Sequence, residues 1–166
     1  MERGRILDVI GTLARLGLAA VWLVSGGIKV ADPDQTYIAV KAYDVLPTAV
    51  VSPVATVLPW LEIALGVLLL IGVGTRAVAV LSGVLLLVYI AGVSQAWARG
   101  LSIDCGCFGG GGQVAPDATA YGTELLRDTG FLILAGWLTI RPRTLFALDG
   151  RLENRTQPRH RSSERV

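Results

Sequence analysis

Four nearly unbroken apolar stretches divide the chain, at about residues 6–28, 53–73, 77–98 and 124–140. A helix that crosses a bilayer needs roughly 20 such residues, so the first three suffice and the fourth, with 17, is the shortest span. Trp60, Trp97 and Trp137 stand near the ends of these stretches, where interfacial anchors belong. The pattern predicts an all-α membrane protein, a four-transmembrane-helix bundle occupying residues 1–140. Residues 141–166, poor in apolar side chains, are expected to form a basic, disordered tail.

Within this frame, local signals mark starts, turns and contacts. Ser52-Pro53 reads as the start of the second span, a capping serine followed by proline at the first helical position. Pro59 should kink that span. Gly72-Val73-Gly74-Thr75-Arg76 makes a short turn, so the second and third spans should be antiparallel neighbours. Gly11, Gly17, Gly26, Gly27, Gly66 and Gly83 permit the close helix approach on which membrane bundles rely. In the first long loop, Tyr37 to Tyr43 carries apolar residues at helical spacing, predicting a short amphipathic helix. Such a helix either caps the bundle or forms a lid over a site.

Composition strengthens the membrane assignment and charge orients it. With 52% hydrophobic and 17% charged residues, the chain is too apolar for an ordinary soluble domain. The net charge of +2 conceals an asymmetry. From residue 141 on, seven arginines face three carboxylates, whereas the loops at 29–52 and 99–123 each carry a net −1. Cytoplasmic flanks are rich in Lys and Arg, so both termini are expected in the cytoplasm of a bacterial cell and both long loops outside its plasma membrane. Arg3 and Arg5 resemble the start of a secretory signal. Arg15 inside the first stretch and the lack of a small-residue cleavage site before Lys29 argue that the segment is retained. The tail arginines suit anionic headgroups, and nothing else in the chain supports binding to nucleic acid.

The candidate chemistry concentrates in Asp104-Cys105-Gly106-Cys107-Phe108-Gly109, with glycines continuing to Gly112. Both cysteines of the protein lie here, one residue apart. A disulfide closing so small a loop stabilises by only about 1–2 kcal/mol before strain, so a purely structural bridge is a weak explanation. Gly106 and the following glycines allow conformations a Cβ would forbid, which lets the sulfurs meet and a partner approach. On the oxidising side of a membrane, thiols are paired or in exchange. Asp104 opposes thiolate formation by like charge, so the attacking sulfur stays open. Two thiolates do not complete a tetrahedral metal site, and the single histidine, His160, lies far off in the tail, so no metal is expected. One cysteine pair cannot relay electrons to a second, so another protein or a bound membrane quinone must take them.

Charges inside spans mark function or a specific pairing. Arg15 and Glu62 could form an ion pair, or Arg15 could snorkel while a protonated Glu62 bonds backbone freed by Pro59, or Glu62 could serve proton transfer or quinone binding. Glu124, Arg127 and Asp128 read as a solvated helix start, the acidic pair suiting the macrodipole.

Arg15 with Gly26-Gly27-Ile28-Lys29 and Asp32-Pro33, then Tyr43-Asp44-Val45-Leu46-Pro47, Leu58-Pro59-Trp60-Leu61-Glu62 and Asp104-Cys105-Gly106-Cys107-Phe108-Gly109, resemble the MauE branch of the DoxX-like integral membrane proteins. The similarity covers about residues 10 to 140. It implies a role in methylamine utilisation and disulfide formation, beside an extracytoplasmic thioredoxin-like or substrate protein. On this footing the expected activity is thiol-disulfide exchange by Cys105 and Cys107. Asp104, Gly106, Phe108, Glu62, Arg15 and Lys29 are the supporting residues, and a membrane quinone is the one cofactor the reading admits. The alternatives are a non-enzymatic assembly or anchoring subunit among other membrane subunits, or a small-molecule or metal carrier.

Overall fold

The computed structural model describes residues 2–145, 147 and 148. Most of the basic tail expected from residue 141 on, His160 included, lies outside the described residues. The elements are α1 (Glu2–Ala31), α2 (Pro33–Ala42), α3 (Thr48–Ile71), α4 (Thr75–Ala98), β1 (Ile103–Asp104), β2 (Gly112–Gln113) and α5 (Tyr121–Ile140). Three helices are long and apolar enough to cross a membrane, over Gly4–Ala31, Thr48–Ile71 and Thr75–Ala98. The fourth long helix, α5, is present, but Glu124, Arg127 and Asp128 in its first half keep it below that apolarity. The expected fourth span therefore does not follow from hydropathy.

α1 packs chiefly on α3 and α4 on α5, the pairs closing into a ring through α1 against α5 and a sparser α3–α4 contact. Two of the small residues explain the first pairing. A Cβ on Gly26 would stand 2.8 Å from the Pro59 carbonyl oxygen, and one on Gly66 would stand 3.0 Å from the backbone nitrogen of Leu23. Gly17 and Gly27 meet nothing within 4 Å, so they play no such part. At the centre, Leu18, Trp22, Leu65, Leu69, Val78, Leu86, Ala135 and Leu138 form the buried core. The Trp22 indole N–H donates to the Ser82 hydroxyl at 2.9 Å, so the polar edge of the largest buried side chain is satisfied.

The helix ends depart from expectation in two places. α3 starts at Thr48 rather than at Ser52: Pro47 is its N-cap, with φ −55° and ψ 141°, and the Val50 N–H bonds the Pro47 carbonyl at 2.8 Å. Pro53 then falls within the helix, on an exposed turn where its missing N–H forfeits a single ladder bond. At the other end, Gly72 takes φ +70°, the left-handed conformation that suits glycine, and its N–H reaches the Leu68 and Leu69 carbonyls.

That same end corrects the expected pairing of Arg15 with Glu62. Arg15 is buried, and its guanidinium donates to the carbonyls of Leu69 at 2.8 Å and Leu70 at 3.1 Å and to that of Leu145 at 3.2 Å. It thus binds acceptors at the negative end of α3. Glu62 lies nearly three helical turns from that end and is held by Lys29 instead. Lys29 follows Arg15 by 14 residues, about 21 Å along α1 at 1.5 Å per residue.

The amphipathic helix of the first loop exists as α2, longer than the Tyr37–Tyr43 stripe. Asp32 caps it by accepting from the Gln35 N–H at 3.0 Å, and Pro33 opens it. Its buried residues, Thr36 and Ala39, face the cysteine segment. That segment forms a minimal antiparallel ribbon in an otherwise helical fold, Ile103 opposite Gln113 and Asp104 opposite Gly112.

Candidate functional site

The ribbon presents the cysteine loop beneath α2. Gly106 and Gly109 through Gly112 hold φ between +67° and +102°, a run that only glycine adopts without strain. It is also the reason for their size: a Cβ on Gly106 or Gly111 would come within 2.7 or 2.5 Å of the Ala39 methyl. From α2, the Gln35 side-chain amide donates to the carbonyls of Gly110 at 3.0 Å and Gly111 at 2.6 Å. α2 is therefore latched onto the loop.

Side chains from α1, from the turn after α2 and from α5 fix the backbone of the cysteine segment. The Tyr43 hydroxyl donates to the Cys105 carbonyl at 3.2 Å and the Ser25 hydroxyl to the Cys107 carbonyl at 2.8 Å. The Tyr121 hydroxyl accepts from the Ile103 N–H at 3.1 Å and donates to the Leu101 carbonyl at 2.5 Å. Burial pushes the Tyr43 phenol up. The group therefore stays a donor.

Both cysteines are free thiols, with 8% and 6% of their surface exposed, and they are not equivalent. The Cys105 sulfur accepts from the Cys107 N–H at 3.3 Å, and the Arg127 guanidinium lies 3.8 Å from it. The Cys107 side-chain hydrogen bond, more than any other factor, holds the Cys105 thiol below the ordinary range. Arg127 assists, while burial and Glu124 oppose. Cys107 moves well above that range, through its bond to Cys105 and through burial. This breaks the symmetry that the sequence left open, with Cys105 the more acidic of the two thiols. Asp104, beside the Cys105 sulfur, accepts the Gly106 N–H at 3.2 Å.

The solvated start expected for the last helix is not observed. Glu124 is 7% and Asp128 2% exposed, because both turn inward beneath the cysteine loop. Arg127 bonds Asp128 at 3.1 Å and lies over the Phe108 ring at 4.7 Å, which ties Phe108 to the site. Asp104, Cys105 and Glu124 bring one ligand atom each within 4.8 Å of one another, and the Arg127 guanidinium competes with any cation there.

Below the loop lies a buried polar cluster. Lys29 Nζ is 2.6 Å from Glu62 Oε1 and donates to the Ser25 hydroxyl at 2.8 Å. The Tyr89 hydroxyl donates to the same Glu62 oxygen, and Ser25 lies 3.1 Å from the other. Glu62 is fully buried; a charge there persists only when paired and hydrogen-bonded. Of the expected residues, the fold therefore unites Asp104, Cys105, Gly106, Cys107, Phe108, Lys29 and Glu62, and separates Arg15.

Sequence reasoning missed Ser25, Tyr43, Tyr89, Glu124, Arg127 and Asp128 as members of the site. A signal existed for some. Ser25 and Lys29 are one turn apart on α1, and Glu124 and Asp128 on α5, so each pair shares a helix face.

Next to the thiols is a cavity of about 460 Å³ between α2, α3 and α4. Its walls are mainly apolar, Val45, Leu46, Val54, Leu58 and Val88 among them, and its inner end carries Lys29, Tyr43, Tyr89, Cys105 and Cys107.

A family model described as "Methylamine utilisation protein MauE" matches residues 7–141. No curated protein and no solved structure matches the chain.

Proposed function

The chain belongs to the MauE family, and from that premise we propose that this membrane protein is a thiol-disulfide redox protein. Its Cys105–Cys107 pair exchanges with an extracytoplasmic thioredoxin-like or substrate protein. The observation that carries the reading is the unequal pair itself: two neighbouring sulfurs, one contacted by the Cys107 N–H and by Arg127 and made the more acidic, on a backbone pinned by Tyr43 and Ser25.

In the disulfide-donating direction, a partner thiolate attacks Cys107 of the oxidised pair and the S–S bond breaks. Cys105 leaves, since the sulfur of lower pKa departs faster. The partner's second thiol then attacks the mixed disulfide and releases Cys107. Two electrons and two protons pass from the partner dithiol to this pair. The reverse sequence reduces a partner disulfide.

In this reading α5 is the fourth span, both termini are cytoplasmic and the cysteine loop lies outside the plasma membrane. The charge asymmetry of the chain supports that orientation. The single-cysteine variants Cys105→Ser and Cys107→Ser are expected to accumulate a covalent, reductant-sensitive adduct with the partner, identified by mass spectrometry. Full retention of activity by the double serine variant would refute the proposal.

A second reading is favoured by the burial of both thiols: a non-enzymatic subunit that anchors or assembles a larger membrane complex. Co-purification of other membrane subunits with the double serine variant, undiminished and without any adduct in the single variants, would establish it.

A further inference from the structure

We infer that the cavity between α2, α3 and α4 is a binding site for a membrane quinone, which takes the electrons of the Cys105–Cys107 pair. The inference rests on the redox reading above and supplies its acceptor.

Three features of the cavity define the occupant. Its volume of about 460 Å³ lies within the roughly 300–1,000 Å³ of small-molecule sites. Its outer wall includes Val45, Leu46 and Val88, which are 54%, 36% and 59% exposed. Val88 continues the apolar outer face of α4 formed by Val80, Leu81, Val84 and Leu87. The mouth therefore opens through the surface that meets lipid, where α3 and α4 touch sparsely, and it admits a molecule dissolved in the bilayer.

The inner end carries the Lys29 ammonium, two of whose three protons go to Glu62 and Ser25 so that the third can meet a ligand, and the Tyr43 and Tyr89 hydroxyls, whose protons go to the Cys105 carbonyl and Glu62. A ligand matching them has an apolar tail and a head whose polar atoms are acceptors. Both sulfurs border the same space, so that head must also accept electrons. A quinone meets all of these demands, whereas a phospholipid, with its anionic head, has no redox chemistry.

The reaction balances as follows. Cys105 and Cys107 join in an S–S bond and give up two electrons, and the quinone ring becomes a quinol. One carbonyl oxygen takes the Cys107 proton. The other takes a proton from the Lys29 ammonium, which solvent restores from the equivalent released when Cys105 ionises. Glu62 is a positioning residue, its carboxylate 2.6 Å from Lys29 Nζ holding that side chain at the inner end of the cavity.

The test uses the reduced full-length protein in phospholipid nanodiscs, mixed anaerobically with decylubiquinone. Quinol is followed by absorbance and the free thiols by alkylation and mass spectrometry. One quinol per chain is expected, together with loss of both alkylatable cysteines. Val88→Trp and Ala91→Trp, substitutions at exposed lining positions, should each raise the quinone KM about tenfold, equivalent to 1.4 kcal/mol, and leave exchange with the trapped partner unchanged. Lys29→Met should lower kcat with little change in KM.

Quinol formation indifferent to both tryptophans would overturn the site. Partner exchange without any quinol formation would overturn the quinone and leave the redox reading intact. Failure of both reactions would refute the redox reading and the quinone with it.

Discussion

At the scale of single residues, the asymmetry of the two sulfurs is the most consequential feature. A thiolate, not a thiol, attacks, so alkylation of Cys105 by iodoacetamide should rise with pH through a midpoint below the usual thiol value of about 8.5. The sign follows from the cause: lowering the pKa enlarges the thiolate fraction at every pH below the ordinary midpoint. Because the Cys107 side-chain hydrogen bond is the leading cause, Cys107→Ala should move that midpoint upward, and Arg127→Met should move it the same way by less. A midpoint unchanged in both variants, measured by mass spectrometry of the alkylated peptide, would refute the assignment of Cys105. The residues that build this asymmetry differ in legibility. Cys105 and Cys107 were evident from their spacing alone. Arg127 was concealed, because a charged cluster at the start of a helix has an ordinary explanation in the macrodipole. What the sequence lacked was the position of the ribbon, which folds Cys105 back over the first turns of α5.

Among the elements, the α1–α3 seam is set by glycines that differ in consequence. Gly26→Ala would thrust a methyl to 2.8 Å from a backbone carbonyl of α3, which cannot move without shifting the helix. The cost of such overpacking is about 1–3 kcal/mol. Gly27→Ala, with open space around it, should cost nothing and gain slightly from helix propensity. Thermal unfolding of the two variants in the same detergent tests this, and equal midpoints would refute the proposed seam. The helices themselves were largely readable from hydrophobic block length. The start of α3 was not, because the Ser52-Pro53 signal competes with a helix already begun at Pro47. Nor was the Arg15 contact: sequence reveals that a charge is buried in a span and nothing of which end of a neighbouring helix it meets. α2 was visible as a stripe, but its latch through Gln35 depends on carbonyls presented by a distant glycine loop.

For the whole molecule, the proposed orientation specifies which side of the membrane each end of the bundle faces. In the proposed orientation, a membrane-impermeant maleimide applied to intact cells should label cysteines introduced at Asp34 and Asp117, both exposed, and leave one at Arg76, in the first turn of α4, unlabelled. The opposite pattern would reverse the topology. Agreement between the positions at 34 and 117 would also fix the number of crossings between them as even, as α3 and α4 require. The bundle's helical membrane class was legible because it follows from length and apolarity. Its ring order and the cavity at the sparse seam were not, since they follow from which helix pairs pack most closely.

The Ser25 hydroxyl has one proton to give and two acceptors within reach, the Cys107 carbonyl and Glu62. While Glu62 is ionised and engaged by Lys29 and Tyr89, that proton is free to hold the cysteine loop. Should Lys29 be drawn away, Glu62 becomes the stronger claimant and the loop loses a tether. A single rotating O–H bond thus makes the order of the thiol loop sensitive to the charge balance deep in the bundle.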